Sequence, residues 1–168
     1  MTKDKKIKVK KIILASDHAG FILKECIKKF LLKKGKTVLD LGTKNSSSVD
    51  YPDFGIKLAM ALKQDYEGRG IAICGSGIGI SIALNRFSWV RAALVSKPEA
   101  AELARQHNDA NVLAFGERLI AADTARQSVR KFLTTEFELS DFFFALFSTS
   151  FGIWITMGSP MGSNVRVI

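Results

Sequence analysis

Strand-length apolar runs alternate five times with amphipathic segments, and few architectures accept that order. The runs cover residues 12–16, 37–41, 70–74, 90–95 and 112–115. After the first, Ile22, Leu23, Cys26, Ile27, Phe30 and Leu31 recur at helical spacing, with Lys24, Lys28, Lys29 and Lys33 on the other faces and Gly35 as the stop. Further helices are predicted over about 54–64, 80–85, 98–106 and 120–133, the fourth opened by Pro98. Strands separated by helices pair in parallel, and right-handed crossovers cover both faces. The expectation is an α/β fold: a single-domain, doubly wound (Rossmann-like) five-stranded parallel sheet with helices on both faces. The 168 residues suit one core and are too few for two ordinary domains. No internal repeat interrupts the pattern.

Charge and cysteine content narrow the function classes. Lys and Arg number 25 against 16 Asp and Glu, a formal charge of +9 that favours anionic partners. Part of the excess is local: Lys3, Lys5, Lys6, Lys8, Lys10 and Lys11 crowd the N-terminus with Asp4 alone against them. Residues 1–10 read as a solvated basic arm in preference to a nucleic-acid arm. The apolar stretch 12–15 is too short for a secretory h-region, which points to the cytoplasm. Cys26 and Cys74 make no disulfide framework, and no CxxC or Cys/His cluster offers a metal site, so neither metal nor cofactor is expected.

In a parallel sheet, ligands bind outside the carboxyl ends of the strands. Asp17 and His18 follow the first strand, and Cys74 ends the third, ahead of Gly75, Ser76, Gly77, Ile78 and Gly79. Ser96 ends the fourth strand, and Arg118 follows the fifth. Glycines at every second position let backbone N–H groups approach an anion. The spacing GxGxG is neither the dinucleotide fingerprint nor a P-loop, so NAD and ATP readings are weak. Cys74 precedes a helix whose dipole favours a thiolate, which suits a base or nucleophile, whereas Cys26 reads as a buried apolar side chain. Asp17 and His18 set a carboxylate and an imidazole at the same mouth. Arg118 has the forked donors that bind phosphate. His107 and Asn108 end the helix before the fifth strand, at the wrong edge for their own subunit's site but within a second subunit's reach.

Four separated stretches carry a resemblance. Ala15-Ser16-Asp17-His18-Ala19-Gly20-Phe21, Asp50-Tyr51-Pro52, the run 73–83 and the run 105–116 are similar, in order and spacing, to motifs of the type B ribose-5-phosphate isomerases. The resemblance spans about 11–138 and implies interconversion of ribose 5-phosphate and ribulose 5-phosphate through an enediolate, in the non-oxidative pentose phosphate pathway. It implies Cys74 as proton-transfer base, Ser76 assisting it, and amides of Gly75, Gly77, Ile78 and Gly79 holding the enediolate oxygen. Asp17 and His107 match the pair that opens the furanose ring, with His107 as acid. His18, Asn108 and Arg118 match substrate and phosphate contacts. A homodimer or dimer of dimers is implied, with His107 and Asn108 offered to the neighbour. The galactose-6-phosphate isomerase subunits share the fold and are the nearest alternative.

The family usually continues after Glu138 with a Gly-Gly-Arg-His segment and a further arginine, both phosphate ligands. Here the chain reads Leu139-Ser140-Asp141-Phe142-Phe143-Phe144, with neither arginine. That departure keeps open a weakly active, sugar-phosphate-binding homologue. The sequence therefore divides into the arm 1–10, an isomerase domain 11–138 and an atypical apolar tail 139–168. Residues 142–157 fall short of the roughly 20 apolar residues that span a bilayer, so docking on a neighbouring subunit is expected over membrane insertion. A reading-frame shift after Glu138 would also produce such an ending.

Overall fold

A computed structural model describes Val9, residues 11–65 and residues 67–138; the rest of the basic arm and the whole apolar tail lie outside them. The chain order is β1 (Lys11–Ser16), a 3-10 turn (His18–Gly20), α1 (Phe21–Lys33), β2 (Thr37–Asp40), α2 (Tyr51–Gln64), β3 (Arg69–Cys74), α3 (Ile78–Leu84), β4 (Ala92–Leu94), α4 (Pro98–Gln106), β5 (Val112–Gly116) and α5 (Ala122–Thr134). Among the described residues all four strand pairings are parallel, in the order β2-β1-β3-β5-β4. The expected doubly wound sheet is therefore present.

Period-two alternation divides the sheet between two cores. Ile12, Leu14, Ile71, Ile73, Leu113 and Phe115 pack with Leu23 and Ile27 of α1, Ala101 of α4, and Val129 and Phe132 of α5. Ile13, Ala15, Ala72, Cys74, Val112 and Ala114 turn to the opposite face, against Leu58 and Leu62 of α2 and Ile80 and Leu84 of α3. The chain winds one way from β1 to β2 and the other way from β3, so right-handed crossovers put α1 and α2 on opposite faces. The reversal opens a crevice at the carboxyl ends of β1 and β3, where open α/β sheets bind ligands.

Two details of α1 differ from the helical reading. Lys24, expected on a polar face, is 1% exposed and pairs with Asp40 at the end of β2 and with Glu25. Lys28 joins the same Asp40 at 2.8 Å, which compensates the burial of charge. Ile22, expected in the core, is 72% exposed, because α1 starts at Phe21 and turns Leu23 and Ile27 inward instead.

Candidate active site

Asp17 and Cys74 leave neighbouring strands at the sheet's switch point. Ser16 pairs with Ile73, and the Asp17 N–H donates to the Ile73 carbonyl at 3.3 Å, so the two residues sit one strand spacing apart, about 4.8 Å between backbones. Asp17 is 5% exposed, and its Oδ1 accepts the Gly20 N–H at 3.0 Å, which closes the turn into α1. Burial pushes its carboxyl above the ordinary value, against the Gly20 N–H and the charges of His18 and Arg118. A carboxyl displaced toward neutral pH is suited to exchanging protons.

The glycine loop folds back on Cys74. Its Sγ accepts the Gly77 N–H at 3.1 Å, and Ser76 Oγ accepts the Ile78 N–H at 3.3 Å. Gly77 is left-handed at φ 77, and a Cβ there would meet the Phe115 carbonyl carbon at 2.7 Å and the Gly116 nitrogen at 2.8 Å. Only glycine passes at that point. A Cβ on Gly79 would lie 2.6 Å from Cζ of Tyr51, so the phenol ring covers this part of the loop. The N–H groups of Gly79 and Ile80 belong to the first turn of α3, with no helical carbonyl behind them. Such N–H groups can serve oxygen that becomes negative during a reaction.

His18 and Arg118 flank the crevice. Nδ1 of His18 faces the Val49 carbonyl at 3.0 Å and the Val49 N–H at 3.1 Å. A protonated Nδ1 donates to the first and a bare one accepts from the second, while Nε2 takes no part. The guanidinium of Arg118 lies against the loop, 3.2 Å from where a Gly75 Cβ would be. The backbone of Glu117 and Arg118 donates to the carbonyls of Cys74 and Gly75 at 3.0 and 3.1 Å. Asp17, His18, Cys74, the loop 75–79 and Arg118 thus form one constellation.

His107 and Asn108 do not join it. Val112 opens β5 opposite Gly70, and Gly116 ends it opposite Cys74. His107 precedes that start and so lies at the far edge, roughly 15 Å along the strand from Cys74. The surrounding run 105–111 is a clamp. Asp109, left-handed at φ 46, pairs with Arg91 and with the buried Arg105, and Asn111 binds the Arg91 N–H at 2.8 Å and the Trp89 carbonyl at 2.8 Å. These bonds hold the turn that displays His107 and Asn108.

Two contacts were not read from the sequence: the Tyr51 ring on Gly79, and a bond from the Leu23 N–H to the Glu117 carboxylate at 2.8 Å. Tyr51 lay in a recognised motif without an assigned place. The bond to Glu117 joins residues too far apart in the chain for spacing to reveal it.

Comparison with known proteins shows what the chain as a whole is similar to. The model of the Ribose/Galactose Isomerase family matches residues 12–142. Ribose-5-phosphate isomerase B of Escherichia coli K12 is 45% identical over 130 residues, covering 77% of this chain and 87% of that protein. Ribose-5-phosphate isomerase B of Clostridium thermocellum superimposes with a TM-score of 0.73 at 49% identity, over 76% of this chain and 86% of the other. The Mycoplasma genitalium enzyme, solved with bound ribulose-5-phosphate, gives 0.73 at 40% identity, over 76% and 86% of the two chains.

Proposed function

This chain belongs to the ribose/galactose isomerase family, and on that premise we propose that it is an aldose-ketose isomerase interconverting ribose 5-phosphate and ribulose 5-phosphate. The observation that carries the reading is the juxtaposition of Asp17 and the Cys74 loop on adjacent strands at the switch point. Asp17, with His107 from a second subunit, opens the sugar ring. Cys74 removes the proton from C2 of the open aldose, and the electron pair moves through the carbon–carbon bond onto the C1 oxygen. The first-turn amides of α3 receive that oxygen. The C2 hydroxyl proton then passes to O1, and the C2 carbonyl forms. Cys74 returns its proton to C1 as the double-bond pair closes onto that carbon, leaving the ketose. A positioned base contributes typically ~10²–10⁴-fold, and a preformed amide donor on the order of 10²–10³. His18, Arg118 and the partner's Asn108 hold the hydroxyls and phosphate. The enzyme works in the cytoplasm, on the non-oxidative pentose phosphate pathway.

Self-association is part of the same proposal, because Asp17 and His107 stand at opposite edges of one sheet. Ile56 and Met60 on α2, with Ile78 and Ile82 on α3, are exposed one helical turn apart, an apolar surface that favours burial against a second copy. A sugar-phosphate-binding homologue with little turnover is the second reading, favoured by the absence of the Gly-Gly-Arg-His segment after Glu138. Conversion of ribose 5-phosphate to ribulose 5-phosphate by the purified full-length protein tests the first reading. Saturable binding without conversion would establish the second.

A further inference from the structure

Glu117 joins three parts of the site that are remote in sequence. Its carboxylate accepts the N–H of Leu23 at 2.8 Å, across 94 positions. Leu23 lies in the first turn of α1, whose N-cap residue, Gly20, provides no side-chain cap. Glu117 therefore supplies the acceptor that the helix start lacks, with negative charge at the positive end of the dipole. The turn Asp17–His18–Ala19–Gly20 runs directly into that helix start. The Glu117 backbone N–H is bound to the Cys74 carbonyl at 3.0 Å, and the next residue binds the Gly75 carbonyl at 3.1 Å and carries the Arg118 guanidinium to the loop.

We propose that Glu117 is a positioning residue, which through its bond to the start of α1 holds the Asp17–His18 turn and Arg118 in register with Cys74. Its carboxylate is bonded to the start of α1 and its backbone to the Cys74 carbonyl, so it sets the distance between the groups on either side. This rests on the isomerase reading above. A helix cap alone would act on stability, because any acceptor at Leu23 would satisfy the N–H. A register device acts on the relation between β1 and the loops after β3 and β5, and small misplacements of that kind can cost catalysis up to ~10²-fold.

The experiment compares Glu117→Ala and Glu117→Gln with the wild-type full-length protein, using melting temperature, kcat and KM for ribose 5-phosphate, and the imidazole NMR signals of His18 at fixed pH. Glu117→Ala is expected to raise KM and lower kcat by a combined factor of roughly 10–100 in kcat/KM, and to move the His18 signals. Glu117→Gln, which keeps an oxygen acceptor, should recover most of both. If Glu117→Ala lowers the melting temperature but leaves kcat/KM within about twofold and the His18 signals unmoved, Glu117 is a helix cap and the proposal is overturned. Should the alanine variant fail to fold, the glutamine variant decides by the same two measurements, with small shifts in the same directions required. The histidine signals need no turnover. A wild-type protein that converts no ribose 5-phosphate would remove the isomerase reading while His18 still reports on Glu117.

Discussion

The sulfur of Cys74 and the backbone N–H of Gly77 lie 3.1 Å apart, so the loop that follows β3 is tied to the side chain that ends it. The bond fixes the thiol below the first turn of α3 and beside Asp17 on the neighbouring strand. A base needs that constancy of place, since proton transfer requires hydrogen-bond reach to the substrate carbon's proton.

Cys74→Ala should therefore lower kcat by ~10²-fold or more while the protein keeps its fold. Cys26 is the control. It accepts from Arg126 at 3.1 Å on the α1–α5 side, away from the crevice, and Cys26→Ala should keep most activity. Steady-state kinetics with circular dichroism on both variants checks this; near-native turnover in Cys74→Ala would remove the thiol from the mechanism.

Chelation should leave turnover unchanged. Among the described residues no group of three His, Cys, Asp or Glu is disposed to hold a metal ion, and the amides after Cys74 are available for the negative oxygen. Exhaustive dialysis against EDTA followed by assay is the test, and activity restored only by an added divalent ion would contradict it.

Asp17 couples activity to stability in opposite directions. Burial holds its folded-state pKa above the ordinary carboxylate value. Between those two values the unfolded chain has lost a proton that the folded chain retains, so this group's contribution to stability declines as pH rises through the window and stays reduced above it. Asp17→Asn keeps an oxygen for the Gly20 N–H and removes the charge. At pH 7 its urea midpoint should equal or exceed that of wild type, the difference vanishing below the ordinary carboxylate pKa, while turnover falls about tenfold or more. A midpoint clearly below wild type at pH 7 would refute the account.

Two glycines of one loop should respond differently to alanine. At Gly77 the left-handed backbone and the contacts with Phe115 and Gly116 oppose any side chain, and strain alone costs about 1–3 kcal/mol. At Gly79 the obstacle is the Tyr51 ring, which is 38% exposed and can swing outward. Gly79→Ala should thus cost under about 1 kcal/mol of stability yet lower activity by moving ring and loop. Urea unfolding and kcat/KM for the pair test the contrast.

The fold was legible because its signals are local. Alternation along β1 and β3 and helical spacing along α1 are properties of neighbouring residues, and the rule for parallel sheets then places Asp17 and Cys74 at the ligand edge. What escaped depends on partners distant in sequence. Lys24 looked solvated because Asp40, which makes its burial tolerable, comes from the next strand. The placement of β5 between β3 and β4 follows from how the crossovers pack, which periodicity does not encode. The ring of Tyr51 meets Gly79 only once α2 has docked on α3.

The last prediction concerns the edge where His107 stands. Within one subunit β5 separates His107 from Cys74 by its whole length, and the clamp of Arg91, Arg105 and Asp109 keeps the His107 turn at that edge. If His107 supplies the ring-opening acid, it does so in a partner's site. Cys74→Ala and His107→Ala proteins should each be impaired alone. Mixed and allowed to exchange subunits, half of the sites in a mixed dimer would carry both substitutions and the other half neither. Activity should then return in proportion to the mixed dimer, up to about half of the wild-type value per dimer. Replacing Ile82 with Glu on the exposed face of α3 should weaken association and prevent the recovery. Exchange demonstrated by mass spectrometry without any return of turnover would place the acid within the subunit that carries Cys74 and would overturn the shared site.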